Sequence, residues 1–314
     1  MTISSVKTGL VAINLLVGNV AFAPAVRALF AGGSTGAVVN VIDYINISSK
    51  GNATDFGDLT VARFDLTGVS SSTRGIFGGG ENANQSTLYN VLDYVTIATT
   101  GNATDFGDLT ANYGYQPGSF SSSTRGLFGG GFNGSALIAG IDYITIASTG
   151  NATDFGDLTQ ARRGLSGCSS PTRGIFTGGY NGSAFVNTID YVTIATTANA
   201  TDFGDLTVGR YNPAACSNST RGLILGGNAG AADLDVIDYV TIATTGNATD
   251  FGNLSLARNG AAASSPTRGV LGGGYILNVI DYVSINTLGN ALDFGDLTVS
   301  RHIPAGISDG HGGL

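Results

Sequence analysis

Short apolar runs recur along the whole chain, and none is sustained at the 3.6-residue spacing of an amphipathic helix. In "VLDYVTIA" at 91–98, Val91, Val95 and Ile97 point one way and Leu92 and Tyr94 the other. A strand with one wet face would alternate apolar with polar, and these runs do not. They predict strands packed on both faces, punctuated by Gly- and Asn-rich turns, with helix almost absent.

The runs come in a fixed order that repeats six times. Each unit opens with Arg and an apolar run ending in glycines, such as "RGIFGGG" at 74. A variable loop follows, then "IDYVTI" or a close relative, then a decapeptide such as "GNATDFGDLT" at 101–110. Successive arginines, at 27, 74, 125, 173, 221 and 268, lie 47 to 51 residues apart. That period predicts four strands per unit, placed in the third unit at 113–121, 125–129, 140–148 and 153–160. Radial stacking of six small sheets covers both faces of each and leaves only short edges.

The order glycine doublet, Tyr, then a second aromatic (Gly79-Gly80, Tyr94 and Phe106 in one unit) resembles the kelch repeat over residues 27 to 301. The resemblance implies an all-β, six-bladed propeller of four-stranded blades. Kelch repeats usually carry Trp at the second aromatic position; this chain has no Trp and uses Phe56, Phe106, Phe155, Phe203, Phe251 and Phe294. The near-identical, Gly- and Asn-rich units also resemble repeats of virion proteins from marine tailed phages.

Six units need six first strands, and five are internal. The sixth is either "GNVAFAPA" at 18–25 or "SRHIPAGISDG" at 300–310. Most internal candidates start with Arg (Arg63, Arg162, Arg210, Arg258), and so does the C-terminal one, with Arg301. Closure by residues 300–310 is therefore expected, which seals the edge of the first blade. It divides the chain into an apolar arm at 1–22 and a propeller at 23–314.

Composition narrows the function. Net charge is −8, with no basic stripe, so neither nucleic acid nor an acidic membrane surface is an expected partner. No stretch is apolar enough to insert in a bilayer. Cys168 and Cys216 sit one repeat apart, in a slot filled elsewhere by Phe22, Val69, Phe120 and Ala263, which reads as an apolar position and not a disulfide. "DFGD" faintly resembles calcium loops, but two carboxylates per turn are few, and one copy reads "DFGN" with Asn253. Only two histidines and one glutamate, Glu81, exist. No enzyme, metal or cofactor is expected. The repeated decapeptide is read as scaffold, with Arg–Asp pairs joining strand starts: Arg74, Arg125 and Arg173 with Asp105, Asp154 and Asp202.

Variation between units is confined to the loop after the glycines and to the connector between units. Both emerge on the same side of an up-and-down blade, so one face is diversified and the other uniform. Tyr89, Tyr113, Tyr115, Phe132, Tyr180, Phe185, Tyr211 and Tyr275 would make the diversified face a recognition surface. The resemblance to virion repeats implies a structural or interaction module of a phage particle, as a tail, fibre or capsid-surface component. It would contact other virion proteins through residues 1–22 and a host glycan or protein through its variable face. The alternative is a secreted or cell-surface lectin-like propeller.

Overall fold

The structure is a computed structural model that describes residues 26–314. The described residues form twenty-four strands and no helix, in six four-stranded antiparallel sheets arranged as a β-propeller. Blade 1 is made of Arg27–Ala31, Val41–Asn46 and Thr54–Asp58, with Ala305–Ser308 as its innermost strand. Blades 2 to 6 span 67–108, 118–157, 166–205, 214–253 and 261–296. The C-terminal strand thus closes the ring, pairing Ala28 with Ser308 through Ala31 with Ala305. The rival segment at 18–25, the arm at 1–22 and Phe22 lie outside the described residues. In blade 1 the slot shared by Cys168 and Cys216 is held by Ile307; both thiols are free and buried. The first strand of each blade is shorter than its sequence suggests, Gly118–Ser121 in blade 3, because the connector before it turns through left-handed residues such as Tyr115 and Gln116.

Why "DFGD" makes a strand follows from one bulge. Ile42 pairs with Gly57 and Asp43 with Asp55, so Phe56 is left unopposed. The bulge turns Phe56 inward, edge-on to Tyr44 with ring centroids 6.0 Å apart. Gly57 follows with φ 147°, a conformation that favours glycine, and a Cβ there would strike the Gly101 carbonyl of the next blade.

Four sets of hydrogen bonds run from blade to blade and each closes into a circle. At the axis, Ser70 Oγ donates to the Ser308 carbonyl, Ser121 to Ser70, Ser169 to Ser121, Ser217 to Ser169, Ser264 to Ser217 and Ser308 to Ser264, at 2.6–2.8 Å. Further out, the arginine that opens each unit stacks on the tyrosine of its own blade and donates to a carbonyl of the next. Arg74 lies 4.6 Å over Tyr94 and reaches Ile146 O at 2.9 Å. At the rim, the decapeptide asparagine accepts from the outer strand of the preceding blade, as Asn102 does from Asp58 N at 3.1 Å.

The fourth circle corrects the expected ion pairs. Arg74, Arg125 and Arg173 are taken up by tyrosine stacks and carbonyls, and Asp105, Asp154 and Asp202 are exposed on the outer strand. The buried pairs join the connector arginine to the aspartate of "IDY": Arg63–Asp93, Arg162–Asp190, Arg210–Asp238, Arg258–Asp281 and Arg301–Asp43. The same aspartates accept a hydroxyl from the last decapeptide residue of the preceding blade, Thr60 to Asp93 at 2.5 Å and Thr298 to Asp43 at 2.6 Å. In blade 3 Tyr113 takes the arginine's place beside Asp142, so this tyrosine is a buried replacement part and not a surface contact. Burial raises the Asp142 pKa, against the pull of donation from Thr110.

The glycine after that opening arginine is matched in the same way. A Cβ on Gly126, Gly174, Gly222 or Gly269 would meet Val69, Phe120, Cys168 or Cys216 of the preceding blade. Blade 1 alone has alanine there, Ala28, and it packs in one cluster with Ala263, the smallest of the slot residues.

The buried pairs give a quantitative test. Arg162→Ala strands Asp190 in the interior and is expected to lower stability by about 3–5 kcal/mol. Arg162→Tyr repeats the arrangement that blade 3 already uses and is expected to cost clearly less. Denaturant unfolding of both variants checks this; equal losses would contradict it.

Candidate functional site: the mouth of the central channel

The six innermost strands enclose a cavity of about 90 Å³. At the end carrying the serine circle it is floored by residues 309–314. His311 Nδ1 accepts from Gly313 N at 3.1 Å, which leaves Nε2 to donate to the Ser70 carbonyl at 2.9 Å. Burial lowers the pKa of His311, which suits the neutral ring. The opposite end is the mouth, where the variable loops and connectors meet.

Loop and connector pair residue against residue there: Phe64 with Glu81, Gly114 with Phe132, Arg163 with Tyr180, Tyr211 with Asn228 and His302 with Ser34. Two residues after the connector arginine or tyrosine, the chain turns left-handed, at Asp65, Tyr115, Gly164, Asn212 and Ile303. Backbone bonds link these turns, Gln116 N to Asp65 O at 3.0 Å and Gly164 N to Tyr115 O at 2.9 Å. The mouth is therefore a rigid frame carrying different side chains in each blade.

Five of the eight aromatic residues expected on this face come together. Tyr115 meets Phe132 at 5.5 Å, Tyr180 meets Phe185 at 5.5 Å, and Phe185 meets Tyr211 at 6.0 Å. Phe185 is 37% exposed. Tyr275 stands apart, edge-on to His302 at 5.5 Å and 66% exposed, next to the equally exposed Ile276 with φ 57°. Tyr89 is half-buried in the loop of blade 2, and Tyr113 is in the interior.

Sequence reasoning missed the charged centre of the mouth. Asp65 and Glu81 are both buried, and no protein donor reaches either Glu81 oxygen or Asp65 Oδ1. The two carboxyls are close neighbours, and each affects the ionisation of the other. Burial is the main cause that lifts both, Asp65 to about 7 and Glu81 to about 8. The Asp65 charge raises Glu81 further, and Arg163 draws both down. The guanidinium of Arg163 lies 4.1 Å over the Tyr115 ring, with Tyr180, Tyr211 and Phe132 at 5.6, 5.9 and 6.0 Å. The signal was present in the repeat itself: Asp65, Glu81 and Arg163 are charges that recur in no other unit.

Among the described residues no three acidic, histidine or cysteine side chains gather where they could hold a metal ion. Where the fifth copy has Asn253, its amide donates to Asp235 at 2.9 Å, and Asp235 stands where four other units have Asn40, Asn90, Asn187 and Asn278. Acid and amide have changed places.

The fold defines the chain as a six-bladed β-propeller. No protein-family model matches it, and a search of curated proteins finds no match.

The acid pair predicts a pH dependence. Folding lifts both carboxyls above their ordinary values, so the folded state holds protons that the unfolded chain releases. This contribution is complete below about pH 4 and is lost as pH rises through about 7 to 8. Glu81→Gln keeps a donor for Asp65 and removes the repulsion. The fall in Tm between pH 6 and pH 9 is expected to shrink by at least about 2 °C in this variant. An identical fall in both proteins would contradict the coupling of the two carboxyls.

Proposed function

We propose that the protein is a non-enzymatic interaction module of a phage particle, a rigid ring that meets its partner with the face around the channel mouth. One observation carries the reading. The residues that differ most between blades, including five clustered aromatics and the charges of Asp65, Glu81 and Arg163, converge on one end of the axis, while the other face is nearly the same in all six units. Loops on a rigid scaffold bind at low entropic cost, and Tyr, Phe and Arg are the side chains that anchor interfaces. The catalytic alternative finds little support: the two histidines are apart, His302 against Tyr275 and His311 against the Ser70 carbonyl. The phage setting rests on the resemblance of the glycine- and asparagine-rich units to virion repeats. Attachment through residues 1–22 concerns a segment outside the described residues.

Electron microscopy of phage particles with this chain labelled tests the setting; the label should decorate the particle with the mouth face outward. Particles without it, and a monomer with no binding partner, would overturn the proposal. Phe185→Ala, at an exposed site, should weaken partner binding at least about tenfold while leaving Tm unchanged.

A further inference from the structure

Twelve arginines lie in the described residues, and eleven are committed to the scaffold. Six open the units and donate to the next blade; five pair with the buried aspartates. Among the described residues, Arg163 alone has neither a hydrogen-bond acceptor nor an ion-pair partner for its guanidinium. Its Nε is buried without an acceptor, and its two terminal nitrogens, equally unpartnered, are not buried. Four aromatic rings hold the group in place. Buried Nε atoms without an acceptor also occur in Arg63, Arg210, Arg258 and Arg301, so what sets Arg163 apart is its pair of accessible terminal nitrogens with no acceptor in the protein.

We propose that Arg163 is the anchor of a binding site for an acidic saccharide, taking the carboxylate or sulfate of one sugar residue while the ring of that sugar lies against Tyr180, Phe185 and Tyr211. The inference rests on the mouth being the binding face and adds the ligand's chemistry. A planar guanidinium with two free terminal nitrogens matches an oxyanion in the forked geometry that this group favours. Its neighbours restrict how much negative charge the ligand can carry. Asp65 and Glu81 lie behind it, and the protein has a net charge of −8, so a polyanionic or strongly acidic peptide is repelled. One anionic group set among neutral hydroxyls is tolerated. Hydroxyls also find an acceptor at Asp233, one of whose oxygens takes the Asn228 amide at 2.9 Å and leaves the other free. Apolar faces of a sugar ring pack on aromatic rings, and Phe185 is the exposed ring of the cluster.

The test is calorimetric titration of the full chain with oligosaccharides carrying one uronate or one sulfate, alongside their neutral counterparts. The acidic forms should bind and the neutral ones bind at least about tenfold more weakly. Arg163→Gln should abolish that preference. Arg163→Lys should restore part of it, since charge is kept and the fork is lost. Phe185→Ala should weaken both forms without altering Tm, which keeps the test valid if Arg163→Gln is unstable. Lys50→Ala removes one positive charge from the opposite face and should change nothing. Binding of neutral sugars or of a protein partner that ignores Arg163 would overturn this inference while leaving the binding face intact. Silence toward every acidic saccharide, or an Arg163→Gln variant that binds them as the parent does, would overturn it as well.

Discussion

A carboxylate buried between two blades is the constraint on which the rest of the structure depends. Asp93 has no exposed surface, yet it is reached by Arg63 from the connector and by Thr60 from the outer strand of the preceding blade. The same junction occurs at every blade boundary, with Tyr113 in place of arginine at one of them. An ion pair of this kind adds little net stability but penalises any arrangement that leaves one partner alone. It therefore acts as a register device. A blade can be placed only where its neighbour supplies both donors, and six such demands are met together only when the ring is closed.

Closure explains how the molecule distributes its side chains. Serine hydroxyls bind the inner strands, arginine–tyrosine stacks the middle of each blade, asparagines the rim. Each circle uses the same residue in nearly every unit, so the repeat is maintained wherever blades touch. The exceptions obey the same rule: Ala28 faces the smallest slot residue, Ala263, and Asn253 and Asp235, with acid and amide exchanged, hydrogen-bond each other. The mouth is free of these demands. Its loops are held at their bases by backbone pairing, and their side chains differ from blade to blade. Recognition is thereby separated from stability along the chain.

Much of this was legible in the sequence. The count of blades, the closing strand near Arg301, the shared apolar slot of Cys168 and Cys216, and the division into a uniform and a varied face follow from period and alternation. The ion pairs did not follow. Reading strand ends alone put Arg74 opposite Asp105, because a one-residue bulge at each "DFG" phenylalanine, which shifts the outer strand against the "IDY" strand, leaves no mark in an alternation pattern. The decapeptide asparagine was read as a turn former, and it is instead the acceptor that ties two blades. The acid pair comes from the connector and the loop of blade 2, Arg163 from the connector into blade 4, and only the radial arrangement brings the two blades' residues to one axis. Tyr113 was misplaced for the opposite reason: it looked like a loop aromatic because its role as an arginine substitute is visible only beside Asp142.

Native-state hydrogen exchange under mild denaturant measures the dependence of each blade on its neighbours most directly. If the circles of inter-blade bonds hold the ring as one unit, the amides of all six innermost strands open with a common free energy, including Ala305–Ser308 beside Arg27–Ala31. If blade 1 or blade 6 opened at markedly lower cost than the rest, the ring would be an array with ends, and the closed circuit of buried contacts would not be what holds it together.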